Sequence, residues 1–451
     1  RALPRTRAEG TIFNGFSAEV WLPPGVTAAE ARATAGLGSR TPAEGGGVGL
    51  VLGAGNITAI PVLDVLYELI AGNRVVILKL NPVMRDLAEV FARALHPLIG
   101  AGLLRIVQGG GEVGQYLAQH PSVDHVHITG SVTTHDAIVF GAGPEGERNR
   151  AERRPILNKP ITSELGGVSP IIVVPGRWTR ADLRFQAEHV ATMRLHNGGF
   201  NCIAGQTVLL SSEWPQRDAF LRELQRALRT APPRPSWYPG AEDRVADARR
   251  RHPDAEELGN SRVLVQAAED ASDVERTEYF APVLGVIELP GEAGAFLDAA
   301  VDRVNDAFAG TLGANVIADP VTIRRLGRRF EGAVARLRYG AVTVNAWTGV
   351  AFLTAAAPWG AYPGNRLTDA GSGIGVVHNA LLIGRPEKTV LHGPFRPFPR
   401  SVAHGEASLF PTPPWFVSAR SAAETGRRLV EYETEPTPTR LAAIFGAAFR
   451  A

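Results

Sequence analysis

The sequence predicts an α/β protein built on two doubly wound, largely parallel sheets, and three observations carry that reading. From Gly45 to Val174 short β-branched runs alternate with helical segments. After a stretch rich in Gly, Arg and Glu (Gly141 to Arg154), a second β/α series begins. The chain has 451 residues, and a single hydrophobic core rarely grows past about 300.

The elements follow in order. Gly47 to Gly53 reads as a strand, and Ile60 to Ile70 as a helix closed by Gly72-Asn73. Arg74 to Leu80 reads as a buried strand, Arg85 to Leu95 as a helix, Leu103 to Val107 as a strand, Glu112 to Gln119 as a helix and Val123 to Thr129 as a strand. Gly141 to Arg154 is read as a loop. The second series has a strand at Pro170 to Val174, a helix through Phe185 to Met193 and a strand at Thr207 to Leu210. Ala231 to Asn260, dense in Pro, Arg and Asp, reads as a surface excursion. The prolines between Pro394 and Pro414 deny regular structure until a helix near Ser418 to Tyr432.

Composition narrows the class. Hydrophobic residues at 45% and charged residues at 20% are those of a folded globular chain, and a net charge of +2 with interspersed signs gives no case for nucleic acid. The arginines 249 to 251 sit beside Asp254, Glu256 and Glu257 and read as a solvated face. A single cysteine excludes an internal disulfide and a multi-cysteine metal centre, so no metal is expected and the cytoplasm is the expected compartment. No apolar run reaches the roughly 18 residues of a membrane span.

The chemistry rests on three residues. Cys202 lies in the glycine-bracketed run Asn197-Gly198-Gly199-Phe200-Asn201-Cys202-Ile203-Ala204-Gly205, between a helix and a strand, where a thiol is exposed at an element end. Taken alone, a free cysteine is more often a small buried hydrophobe. Glu164 precedes Leu165-Gly166-Gly167, glycines that permit close approach, and Asn56 follows Gly53-Ala54-Gly55 just past a strand. By itself the first reads as a loop acid and the second as a helix cap.

Together with Val75 to Lys79, Ile128-Thr129-Gly130-Ser131, Glu278 to Val283, Asn305-Asp306 and Pro358-Trp359-Gly360, these residues in this order resemble the aldehyde dehydrogenase superfamily from about Gly47 to Val390. The resemblance implies an aldehyde dehydrogenase-like fold of two Rossmann-like α/β domains with a small β oligomerisation arm, and oxidation of an aldehyde to a carboxylic acid with NAD or NADP. It implies Cys202 as nucleophile, Asn56 as oxyanion donor and Glu164 as general base. For the cofactor it implies Lys79 at the adenosine ribose or its phosphate, Gly130 and Ser131 at the pyrophosphate, and Glu278 with Phe280 at the nicotinamide ribose. Gly114 and Gly166 complete the set. Gly109 to Gly114 has the form G-x-G-x-x-G, which reads equally as a tight packing turn.

The resemblance divides the chain into an N-terminal arm shorter than the family's (1–30), an NAD(P)-binding domain (31–164), a catalytic domain (165–375), an oligomerisation strand (376–392) and a Pro-rich C-terminal extension (393–451). Thr11 to Leu22 is the expected arm strand, exchanged between subunits against Glu387 to Leu391 in a homodimer or homotetramer. Pro413, Pro414, Trp415 and Phe416 are expected to pack over the body or a neighbouring subunit.

Departures matter too. Phe200 stands where the family has glutamine, and Leu80-Asn81-Pro82 follow Lys79 where it commonly has Pro-Ala-Glu, so no acid repels a 2′-phosphate. With Arg85 close by, this favours NADP or dual use. His135 replaces a glycine in a way that would narrow the cofactor channel. Trp347, Phe352 and Trp359 read as pocket lining or as core. A CoA-acylating dehydrogenase is the first alternative, against which Glu164 argues; a catalytically silent binding subunit is the second.

Overall fold

The computed structural model describes residues 1–42, 46–267 and 270–450; Gly45, where the alternation opens, and Ala451 lie outside them. In chain order the strands are β1 (Ser17–Trp21), β2 (Val48–Leu52), β3 (Val75–Lys79), β4 (Leu104–Val107), β5 (His125–Gly130), β6 (Ile161–Leu165), β7 (Ser169–Val173), β8 (Gly205–Ser211), β9 (Glu256–Glu257), β10 (Val263–Gln266), β11 (Val283–Leu289), β12 (Gly313–Ile317), β13 (Ala341–Val344), β14 (Trp359–Gly360), β15 (Gly373–Ile374), β16 (Val376–His378) and β17 (Lys388–His392).

They form a six-stranded sheet in the order β15-β6-β5-β2-β3-β4, a nine-stranded sheet in the order β1-β17-β13-β12-β7-β8-β11-β10-β9, and the pair β14-β16. Pairing from β6 through β4 is parallel, as is pairing from β17 through β10. That is the doubly wound α/β class expected. Every residue of β7 and β8 is buried, because helices cover both faces of a parallel sheet, which explains why these strands read as continuous apolar runs.

The helix Ala59–Ile70 matches its expected span. The helix Arg180–Leu195 starts at a reciprocal cap in which Thr179 Oγ accepts from the Asp182 N–H and the Asp182 carboxylate accepts from the Thr179 N–H.

Three expectations are corrected. Gly141 to Arg154 is not a loop: Gly141 ends one helix, Pro144 sits in the first turn of the next, and Gly143–Ala151 is helical. Its Glu and Arg residues are good helix formers, which the glycines obscured. Within Ala231 to Asn260 lies the helix Ala241–Arg251, which buries Ala241, Val245 and Ala248; its arginines 249, 250 and 251 are paired with Glu257, Asp247 and Asp273.

Finally, the expected arm partners meet within this chain, where β1 pairs antiparallel with β17, Ser17 opposite His392 and Trp21 opposite Lys388. Thr11 itself lies in the short helix Arg7–Ile12. Ile12 packs against Tyr432 and Ile444 of the C-terminal extension, and Phe16 meets Trp415 edge-on at 5.5 Å, which anchors the arm beside its own sheet. Phe416 stacks on His189 and Phe185, so the extension packs over the body of this same chain.

Candidate active site

One cleft of about 610 Å³ is walled by strands of the six-stranded sheet and by loops and a helix from the part of the chain that builds the nine-stranded one. Asn56, Glu164 and Cys202 all line it, and so do Lys79, Gly114, Gly130, Ser131, Gly166, Glu278 and Phe280. Positions spread over more than 200 residues are thus brought to one wall by the ends of parallel strands, where such folds place their ligands.

The Cys202 loop is fixed from several sides. After the helix ending at Leu195, Asn197, Gly198 and Gly199 take left-handed backbone angles and reverse the chain. Arg194, fully buried, donates to the Gly199 carbonyl at 2.8 Å, and Asn201 Nδ2 donates to the His196 carbonyl at 2.9 Å. Asn197 Nδ2 bridges the carbonyls of Asn56 (3.1 Å) and Phe200 (3.2 Å), and Asn56 Nδ2 itself donates to the Phe200 carbonyl at 3.0 Å. The asparagine and the thiol are therefore held on one small hydrogen-bonded frame.

Glu164 lies near the end of β6, with Thr129 opposite it on β5 and Gly373 opposite it on β15. Its side chain is buried beside Cys202, and among the described residues neither carboxylate oxygen has a hydrogen-bond partner. Burial pushes its carboxyl up to about 7. Burial, then the neighbouring Glu164 charge, pushes the Cys202 thiol well up, so the sulfur is protonated at neutral pH. A neutral thiol beside a carboxyl poised near 7 is a donor-acceptor pair suited to proton transfer.

At the other end of the cleft, Lys79 is buried, its ammonium made less basic by burial, and it forms no ion pair among the described residues. A buried cation without a partner fits an anionic ligand. Ser131 caps the helix Val132–Phe140, accepting from the Thr134 N–H, and lines the cleft from that position. Gly166 leaves room for Glu278: a Cβ there would lie 2.1 Å from the Glu278 carboxylate oxygens, which would have to shift. Burial pushes Glu278 up to about 7, opposed by the Gly167 N–H and by Arg194. These features fit a dinucleotide with a phosphate near Lys79 and a ribose near Glu278.

Other sequence readings sort differently. Arg85 is exposed and lies outside the cleft wall, which leaves Lys79 and Asn81 facing that end. His135 is buried, points to Asp136 at 3.3 Å and does not narrow the cleft. Trp347 and Trp359 belong to the core, Trp347 against His196, and the half-buried Phe352 packs on it against Trp359. Sequence reasoning missed Tyr238 and Arg244, which line the cleft from the supposed surface excursion.

It also missed a buried polar cluster. Asp64 lies 3.1 Å from His378 and 3.5 Å from His127, and accepts from Thr129 at 3.0 Å. Burial opposes ionisation of Asp64, but the charges and hydrogen bonds of His127 and His378 outweigh it and hold the carboxyl well below the usual range. The i, i+4 spacing of Asp64 and Glu68 on one helix, over alternate His125 and His127 on a strand, was the available signal.

Residues 33–239 match the model of the aldehyde dehydrogenase family. Within that segment the chain carries an aldehyde dehydrogenase family domain. Among solved superfamily structures it is similar to a γ-glutamyl-γ-aminobutyraldehyde dehydrogenase from Burkholderia cenocepacia, at 25% identity over 77% of this chain and 68% of that one, with a TM-score of 0.56. An NAD-dependent aldehyde dehydrogenase from Sinorhizobium meliloti gives 24%, 78%, 68% and 0.56. An indole-3-acetaldehyde dehydrogenase solved with NAD+ gives 22%, 77%, 68% and 0.58. Among the described residues, no helix is long and apolar enough to cross a membrane.

Proposed function

We propose that this protein oxidises an aldehyde to a carboxylic acid through a thioester on Cys202, with the 31–164 segment holding NAD or NADP and the 165–375 segment supplying the nucleophile. The observation that carries the reading is the placement of the buried Glu164 carboxyl beside Cys202 in the cleft shared with Lys79 and Glu278.

Glu164 takes the thiol proton, and the sulfur adds to the aldehyde carbonyl, giving a tetrahedral thiohemiacetal. The oxyanion requires donors already in place; Asn56 Nδ2, now bonded to the Phe200 carbonyl, and the Cys202 backbone N–H are the candidates. A bound nicotinamide supplies the hydride acceptor. Glu164, once it has released that first proton to solvent, deprotonates the water that attacks the thioester, and the Cys202 thiolate leaves and is reprotonated. Retention of this carboxyl favours hydrolysis over transfer to CoA. Lys79 with Asn81, and no carboxylate beside them in the cleft wall among the described residues, supports acceptance of a 2′-phosphate, hence NADP or dual use.

The test is nicotinamide reduction with short, long and aromatic aldehydes, with NAD or NADP, with and without CoA, beside Cys202→Ala. Free acid formed without CoA and only with Cys202 present is the expected result. A folded protein that binds NAD(P) and turns over none of them overturns the reading.

A further inference from the structure

Phe280 has a φ of 44°, a left-handed angle that a bulky side chain adopts only under external constraint. The constraint is visible. Arg244, on the helix Ala241–Arg251, donates from Nε and Nη2 to the Phe280 carbonyl at 3.3 Å each, and its guanidinium lies 5.9 Å from the centre of the Phe280 ring. The Tyr238 ring meets the same ring at 5.0 Å and stacks on Phe200 at 5.7 Å. Arg244 is also anchored from behind, donating to the Pro239 carbonyl at 3.1 Å. One cation thus grips both the backbone and the ring of a strained residue two positions from Glu278.

We propose that Arg244 is a positioning residue that holds Phe280 in its left-handed conformation and thereby sets Glu278 and Phe280 in place for the nicotinamide half of the cofactor. The inference rests on the reading that Glu278 and Phe280 face that half. Lysine is a poor replacement, because a point-charge ammonium cannot make the forked contact to one carbonyl while lying over a ring. Glycine at position 280 adopts the same φ without strain, so it removes the need for the grip.

The experiment is a double-mutant cycle read by isothermal titration calorimetry on the full chain, with NAD, NADP, nicotinamide mononucleotide and AMP as ligands. In the wild-type background Arg244→Met raises the dissociation constant for the dinucleotide and for the mononucleotide by about tenfold, while AMP is unchanged, because the adenosine end lies near Lys79. In the Phe280→Gly background the same substitution changes affinity less than about twofold. Arg244→Lys recovers little of the loss.

An equal loss in both backgrounds, or an equal loss for AMP, overturns the proposal while leaving the cofactor reading intact. Phe280→Gly without effect on mononucleotide binding, or wild-type protein that binds neither dinucleotide, removes the cofactor reading and the proposal with it. Near-ultraviolet circular dichroism confirms that each variant keeps its packing; if Arg244→Met does not fold, Arg244→Gln and Arg244→Lys carry the same cycle.

Discussion

Replacing Glu164 by glutamine should stabilise the fold increasingly as pH rises, while stopping turnover. Burial pushes this carboxyl up to about 7 from an ordinary 4.5. At about 1.4 kcal/mol for each tenfold change in proton affinity, keeping the ionised form in place costs the fold on the order of 3 kcal/mol well above pH 7. The sign follows from the protons: between pH 4.5 and 7 the folded state retains one that the unfolded chain releases, so wild-type stability falls as pH rises through that window. Glutamine cannot ionise and removes that slope. Glu278, raised in the same direction, is present in both proteins and cancels to first order. The assay is urea unfolding of wild type and Glu164→Gln at pH 4.5 and pH 8.5. The variant's advantage should be larger at pH 8.5 by roughly 3 kcal/mol, reading the difference between pH values so that the cost of burying the amide drops out. An advantage that is the same at both pH values within about 0.5 kcal/mol refutes the buried, proton-holding state of Glu164.

Other consequences are open to direct measurement. Asn56→Ala should lower turnover by about 100- to 1000-fold with little change in cofactor affinity, read by steady-state kinetics beside calorimetry; unchanged turnover would remove the oxyanion role. Turnover of the wild type should rise with pH through about 7, because Glu164 must be ionised to accept a proton, and a flat profile from pH 5.5 to 8.5 would contradict that base. Gly166→Ala should weaken dinucleotide binding sharply, since its Cβ would stand 2.1 Å from the Glu278 oxygens; intact affinity would show that Glu278 moves freely. His127→Ala should destabilise the protein by about 3 kcal/mol at pH 6 by leaving the buried Asp64 charge short of a partner, and a chemical denaturation midpoint unchanged from wild type would refute the pairing.

Much of this architecture is legible in the sequence, for physical reasons that differ by region. Strands such as Ser169–Val173 are buried on both faces and announce themselves as apolar runs, and the spacing of glycines around Glu164 and Cys202 marks turns that no other residue fills as easily. The helix Gly143–Ala151 was hidden because two glycines and a proline outweighed its Glu and Arg residues, although the proline sits where a helix tolerates it. Tyr238 and Arg244 were hidden because a Pro- and Arg-rich composition resembles solvent-facing chain; only the fold shows that it closes over Phe200 and Phe280. The pairing of β1 with β17 within one chain depends on contacts more than 400 residues apart, Ile12 with Tyr432 and Ile444, which local patterning does not encode.

The central claim is a covalent bond between Cys202 and the substrate carbon, and the direct test is intact-protein mass spectrometry of the wild type quenched in acid during turnover with NAD(P) and an aldehyde that it oxidises. The account predicts an acyl mass on the peptide carrying Cys202 that is absent from Cys202→Ala and, because the thiol keeps its proton there, from Glu164→Gln. Multiple turnovers of reduced cofactor without any acyl mass would contradict it.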